Sequence, residues 1–415
     1  MRSDIEEKCK KAKACADYMA TLSAYNKNKM ISTVRDAVSL YEDDILSANR
    51  EDVERCKDKP ASFIDRLTLN KKRLAAVRDG VDKLISLADP IGEILDEWVT
   101  EKTNLKIRKV RTPLGVIGLI YEARPNVTVD AVCLALKTGN AVVLRGSKDA
   151  IATNKAIVRA VKAELTRNGF DDNVVQLIED VSHEGAELFM KQREYVDVLL
   201  PRGSKEFIKS VVQKATIPVI ETGAGNCHAY VEKSADLKKA VDIIVNGKVS
   251  RPSVCNALES LLIDKEVAEK YIVPILSELE RHGVAVRGCP TTKKLFPAAQ
   301  SLKESDLFAE YGNLIISVKV VDGIDEAIKH INKYGTHHSE VIITEDESAA
   351  EKFLKRVDSA AVYVNASTRF TDGCEFGFGA EMGISTQKLH ARGPMGLAEL
   401  TSYKYMIFGN GQIRE

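Results

Sequence analysis

The chain has 415 residues, 44% hydrophobic and 29% charged, the composition of a globular protein with room for two or three ordinary cores. Lysine plus arginine equals aspartate plus glutamate at 60 each, so no general attraction to nucleic acid or to an anionic membrane is expected. No stretch approaches the ~20 apolar residues of a membrane helix, and Met1-Arg-Ser-Asp-Ile-Glu-Glu-Lys8 lacks the apolar core of a secretory signal. A cytoplasmic protein is expected.

Residues 1–90 read as helices, with Ile5, Cys9, Ala12, Ala16 and Met19 recurring at helical spacing, and Leu74, Val77, Val81, Leu84 and Ile85 doing so again. Residues 104–112 alternate apolar and basic side chains like a half-exposed strand. From residue 114 short apolar runs alternate with helical segments. Strands are predicted at 115–121, 141–145, 174–178, 196–200 and 218–221, with helices at 127–137, 151–165, 184–191 and 204–214 between them. Continuous rather than alternating apolar strands joined by helices imply a parallel sheet covered on both faces, a doubly wound fold whose ligands bind beyond the C-terminal strand ends.

A second α/β block follows. A helix is predicted over 237–246, with strands at 258–263, 284–287, 314–321, 341–344 and 361–364. The tail holds a further strand at 402–408, and this outlying strand and the one at 104–112 are expected to seek a partner subunit.

The eight cysteines lie at 9, 15, 56, 133, 227, 255, 289 and 374 and form no Cys-x-x-Cys pair, so no metal is expected. His337 and His338 lack further ligands at suitable spacing. His228 and His390 read as hydrogen-bonded structural or substrate-adjacent groups rather than bases. Cys255 differs from the other cysteines. It lies in Arg251-Pro-Ser-Val-Cys-Asn-Ala-Leu-Glu259, between a predicted helix and an apolar strand, where a thiol is a candidate nucleophile. Glu221, ahead of Thr222-Gly-Ala-Gly-Asn226, is a candidate partner carboxylate.

Several motifs in order resemble the aldehyde dehydrogenase superfamily and, within it, the γ-glutamyl phosphate reductases. They are Tyr121-Glu-Ala-Arg-Pro-Asn-Val127, Leu200-Pro-Arg-Gly-Ser204, Glu221-Thr-Gly-Ala-Gly-Asn-Cys-His228, Val254-Cys-Asn-Ala-Leu-Glu259, Phe370-Thr-Asp-Gly373, Gly377-Phe-Gly-Ala-Glu-Met-Gly-Ile-Ser385 and Leu389-His-Ala-Arg-Gly-Pro394. The resemblance implies an aldehyde-dehydrogenase-like α/β fold. Residues 1–103 and 113–223 would bind NADP, 224–385 would form the catalytic domain, and 104–112 with 386–415 would form an oligomerisation element.

The activity it implies is NADPH-dependent reduction of L-glutamyl 5-phosphate to glutamate 5-semialdehyde through a Cys255 thioester, in proline biosynthesis. The Cys255 N–H and Asn126 are expected as oxyanion donors, with helix N-cap as the competing role for Asn126. Glu221 matches the carboxylate that activates water in hydrolytic relatives, although hydrolysis would waste this substrate. Arg145, Ser147 and Lys148 are expected at the adenosine ribose, where a lysine favours a 2′-phosphate. Gly203 and Ser204 are expected at the pyrophosphate, and Glu310 at the nicotinamide ribose. Arg124, Arg251, Arg369 and Arg392 are candidates for the substrate's carboxylate and phosphate, and Asp372 or Glu381 for its ammonium group. A homo-oligomer is expected. The preceding kinase is expected on a separate chain, and the lability of acyl phosphates gives a reason for a complex with it. Hydrolytic and coenzyme A-acylating dehydrogenases share the cysteine and the fold and remain the alternative.

Overall fold

The N-terminal third is helical because its apolar residues recur at helical spacing and cover one side of a sheet. Ile5, Cys9 and Ala12 of the helix Arg2–Ala14 pack against Val116, Ile120, Ala141 and Val143. The computed structural model describes residues 2–414, without the side chains of Arg2 and Ser62. The chain divides into two units, one of residues 1–221, 378–383 and 395–415, the other of residues 222–377 and 384–394.

The first unit holds a four-stranded parallel sheet in the order Val175–Leu177, Ala141–Gly146, Val116–Tyr121, Val198–Arg202. Val116–Tyr121 and Ala141–Gly146 are buried throughout, as strands covered on both faces must be. The helix Asn126–Lys137 leaves the first of these and turns back at Gly139, whose φ of +69° is open to glycine at little cost. The fifth strand expected at 218–221 is not formed. Pro218 has no N–H to give, and only an isolated bridge joins Leu199 to Val219, through Leu199 N to Pro218 O (2.8 Å) and Ile220 N to Leu199 O (3.0 Å). A separate antiparallel sheet runs Ile94–Val99, Lys106–Pro113, Thr401–Phe408. The strands expected at 104–112 and 402–408 therefore pair with each other. Ile94–Val99, not anticipated, is the third strand of that sheet, and all six of its residues are exposed.

The second unit is built on seven parallel strands in the order Gln300–Ser301, Ala285–Gly288, Ile315–Val321, Leu258–Asp264, Cys227–Val231, Ser339–Ile343, Ala361–Val364. Two apolar clusters cover its faces, one with Ile244, Leu261, Ile272 and Leu276, the other with Tyr230, Leu262, Ile328 and Phe353. Cys227–Val231 was not anticipated as a strand. Its five residues follow a glycine-rich run and include a histidine, yet it is wholly buried between two neighbours.

Candidate active site

Cys255 sits in the loop between the helix Leu237–Val249 and the strand Leu258–Asp264, half-buried. The loop is short and heavily tethered. Ala257 N donates to Val254 O (3.0 Å), closing a turn around the cysteine. The Asn256 amide donates to Thr371 O (2.9 Å), and Thr368 Oγ1 donates to Asn256 O (2.8 Å). Arg369 bonds the Asn256 side-chain oxygen and donates through Nε to Ser250 Oγ (3.1 Å).

The Gly223–Asn226 run packs on the same loop. A Cβ on Gly225 would lie 1.4 Å from the Cys255 carbonyl oxygen and 2.3 Å from its carbon, so this close approach of two backbones admits only glycine. The Cys227 thiol donates to the same carbonyl (3.2 Å). Burial pushes the Cys227 thiol well above the ordinary range, which keeps it protonated and able to donate. Glu310 Oε1 accepts from Gly225 N (3.0 Å), so this carboxylate is drawn to the backbone beside the cysteine.

Behind the loop, two fully buried charges meet. Lys248 Nζ lies 2.6 Å from Glu259 Oε2, and Glu259 Oε1 accepts from Gly312 N (3.1 Å). Burial pushes Glu259 up, to about 7, and Lys248 down, and each is opposed by the attraction of the other. Neither residue was singled out from the sequence. Glu259 inside a motif beside an apolar strand was the available signal.

The second unit thus brings together Cys255, Arg369 and Glu310. Burial lowers the Arg369 guanidinium, with the positive charge of Arg251 the next cause and the Cys255 thiol opposing. Arg251 is exposed. Arg392 is engaged elsewhere, donating to Asp358 (2.7 Å), where it and Lys388 hold the Asp358 carboxyl down at about 2. Asp372 closes a turn by accepting from Cys374 N (2.9 Å). His338 is fully buried, its Nδ1 2.8 Å from Ser339 Oγ, and burial holds it near pKa 4. His228 is fully buried; its backbone N–H donates to Glu340 Oε2 (2.6 Å), but its two ring nitrogens make no hydrogen bond, so the side-chain hydrogen bonding expected of it is not formed. Among the described residues no group of three or more His, Cys, Asp or Glu could hold a metal.

In the first unit the expected groups gather at the C-terminal strand ends. Ser204 caps the helix Lys205–Lys214, and its own N–H and hydroxyl both donate to the Glu122 carboxylate (3.0 and 3.2 Å). A carboxylate therefore occupies the helix N-terminus at which a pyrophosphate was expected. Asn126 is the first residue of its helix, with Pro125 in the cap position, so the N-cap role does not hold. Its amide donates to Asp130 (3.2 Å), whose carboxyl burial pushes up to about 6. Arg124 is exposed, and Glu221 is half-buried where the chain leaves the bridge to Leu199.

Beyond the strand Ala141–Gly146, Arg145 turns inward and donates to Ser182 O (2.7 Å), leaving its Nε unpartnered. Ser147 caps the turn Lys148–Ala150. Lys148 is exposed, and Arg55, which is ion-paired with the buried Asp52, donates to its carbonyl (3.3 Å).

A family model described as the aldehyde dehydrogenase family matches residues 1–287. The chain is 52% identical to γ-glutamyl phosphate reductase of Lactiplantibacillus plantarum over 99% of both chains. It is 50% identical to that of Caldanaerobacter subterraneus subsp. tengcongensis over 99% of this chain and 100% of the relative. The crystal structure of γ-glutamyl phosphate reductase from Thermotoga maritima, 47% identical, matches with a TM-score of 0.96 over 99% of this chain and 100% of that one. A glyceraldehyde-3-phosphate dehydrogenase from Methanocaldococcus jannaschii complexed with NADP, 17% identical, shares the fold with a TM-score of 0.69 over 99% and 95%. The chain belongs to the aldehyde dehydrogenase family and, within it, to the γ-glutamyl phosphate reductases. It is an oxidoreductase with an aldehyde-dehydrogenase-like fold. No described helix is long and apolar enough to cross a membrane.

Proposed function

We propose that the chain reduces L-glutamyl 5-phosphate to glutamate 5-semialdehyde and phosphate with NADPH, through a thioester on Cys255. The observation that carries it is the tethered Cys255 loop in a chain half identical, end to end, to γ-glutamyl phosphate reductases. The Cys255 sulfur attacks the acyl carbon, the C–O bond to phosphate breaks, and phosphate leaves with its electron pair. NADPH, when bound, would supply the hydride for reduction of the Cys255 thioester. The tetrahedral oxyanion left by hydride addition would collapse by re-forming the C=O bond and expelling the Cys255 sulfur as thiolate, which frees the aldehyde and regenerates the cysteine.

The residues of the first unit fit this cofactor in one place more than another. The exposed Lys148, with Arg55 on its carbonyl and the Ser147 hydroxyl beside it, offers the donor set of a ribose phosphate. At Gly203 and Ser204 the helix N-terminus fits a diphosphate only once Glu122 has turned away. Arg369, held in place by Ser250 and Asn256 beside the Cys255 loop, is the anion-binding group of this reading, with Arg251 as its cationic neighbour. Glu310, which now holds Gly225 N, is the carboxylate for the nicotinamide ribose. A homo-oligomer is supported by the sheet Ile94–Val99, Lys106–Pro113, Thr401–Phe408, which leaves Trp98, Tyr403, Tyr405, Ile407 and Phe408 exposed.

The test is the reverse reaction: glutamate 5-semialdehyde with NADP+, following NADPH, with and without inorganic phosphate. Activity that requires phosphate is expected. Activity without phosphate refutes the acyl-phosphate step and makes the chain a hydrolytic dehydrogenase.

A further inference from the structure

The Lys248–Glu259 pair has no place in the chemistry just described, and it is an expensive feature. Burying two charges costs several kcal/mol of desolvation each, and well-packed apolar residues of the same volume often do as well for stability. Its position is specific. Lys248 stands one residue before the end of the helix Leu237–Val249, and Glu259 is the second residue of the strand Leu258–Asp264. The pair therefore closes the base of the loop that carries Cys255, with six residues between Lys248 and Cys255 and three between Cys255 and Glu259.

The second carboxylate oxygen of Glu259 reaches across to Gly312 N (3.1 Å). Two residues earlier, Glu310 holds Gly225 N, and Gly225 lies against the Cys255 carbonyl. These contacts form a closed circuit. It runs from the nucleophile loop through the ion pair to the Glu310 turn, then through Gly225 back to the nucleophile.

We infer that Lys248 and Glu259 are positioning residues that lock the Cys255 loop and tie it to the Glu310 turn. The inference rests on Cys255 being the nucleophile. The bond from Gly312 N is the second contact of the pair, and it is the one that joins the base of the Cys255 loop to the segment carrying Glu310. Only Glu259 can make that bond while also meeting Lys248, because a carboxylate has two acceptor oxygens.

The experiment compares Glu259→Gln, Lys248→Met, the double variant and Cys255→Ala with the full-length parent. Folding is read by circular dichroism and urea melts, turnover by the phosphate-dependent reverse assay. The thiol is read by the rate of iodoacetamide alkylation at Cys255, with the exposed Cys374 as internal reference. For folded Glu259→Gln we expect kcat to fall at least tenfold, KM for the semialdehyde to stay within threefold, and Cys255 alkylation to change at least threefold while Cys374 is unchanged.

A folded variant with parental kcat and parental Cys255 alkylation overturns the inference. If both single variants fail to fold, the double variant, which leaves no unpaired charge, is read by the same criteria. If it also fails to fold, the pair serves folding and the positioning role is overturned. Turnover retained by Cys255→Ala refutes the nucleophile itself, an outcome separate from any result on the pair.

Discussion

Replacing Gly225 by alanine tests the close approach at the nucleophile directly. The added Cβ would fall 1.4 Å from the Cys255 oxygen, 2.3 Å from its carbon and 2.8 Å from its Cα, and the contacts of a Cβ atom are essentially never under 3.0 Å. Separating the closest pair to 3.0 Å takes about 1.6 Å of movement. The obstructing atoms are backbone, so no rotamer change relieves the clash. The Cys255 peptide must move, or Gly225 must retreat and give up its bond to Glu310. A misplacement of about 1 Å at reacting atoms costs on the order of 100-fold in rate. Overpacking of this kind costs roughly 1–3 kcal/mol of stability. We therefore expect Gly225→Ala to fold, to melt earlier in urea, and to lose at least about 100-fold in kcat in the phosphate-dependent reverse assay. Gly169→Ala is the control. Its φ of +76° carries a left-handed penalty of about 1–2 kcal/mol, but nothing lies within 4 Å of its added Cβ. It should destabilise without touching kcat. A Gly225→Ala enzyme with parental kcat would show that the backbone contact does not position Cys255.

The exposed Lys148 sets cofactor choice if the ribose phosphate lies beside it, so Lys148→Glu should lower the ratio of kcat/KM for NADPH over NADH by at least about tenfold, or ~1.4 kcal/mol. An unchanged ratio would place the phosphate elsewhere. Asp130 gives a pH prediction. Burial raises its carboxyl to about 6, above the unfolded value near 4, so the folded state holds its proton more tightly. The stability this group permits is fully present below about pH 4 and is lost as pH rises through about 6. Asp130→Asn should accordingly raise stability at pH 7.5 by roughly 1–3 kcal/mol, with the gain shrinking towards pH 4.5, as read by urea melts. A gain equal at both pH values would refute the assignment.

The parallel sheets were legible because buried strands in an α/β fold are continuous apolar runs, and Val116–Tyr121, Ala141–Gly146 and Leu258–Asp264 are such runs. Pro218–Glu221 was read as a strand on the same ground, but apolar character says nothing of whether a backbone has donors and a neighbour to take them. Cys227–Val231 shows the converse. It is a central strand with a buried histidine, whose ring Nδ1 lies 3.3 Å from the Glu340 carboxylate on the neighbouring strand. Cys255 was legible from its motif. Its surroundings were not, since the Gly225–Cys227 run, Glu259 and Gly312 come together only when three segments distant in sequence converge. Arg145 and Arg392 were chosen for their charge, and charge alone does not reveal that one turns inward to Ser182 O and the other is spent on Asp358.

The Glu122 carboxylate offers a sharper question about the cofactor than any motif. It follows the strand Val116–Tyr121 and accepts from both the N–H and the hydroxyl of Ser204, at the N-terminus of the helix Lys205–Lys214. A carboxylate at a helix N-terminus contributes about 0.3–1 kcal/mol through the helix dipole. A diphosphate seeks the same end for the same reason, and two anions cannot share it without repulsion. If the cofactor binds there, Glu122 must leave, and binding loses the energy of its two hydrogen bonds. Glu122→Gln keeps an acceptor for Ser204 N but removes the charge. We expect KM for NADP+ to fall about three- to tenfold, which is ~0.7–1.4 kcal/mol of binding, while the urea midpoint drops slightly as the dipole loses its partner. An unchanged or higher KM together with the lower midpoint would mean that the diphosphate does not use this helix. Gly203 and Ser204 would then be a structural turn held by Glu122, and the cofactor would be gripped from the Ser147–Lys148 side alone.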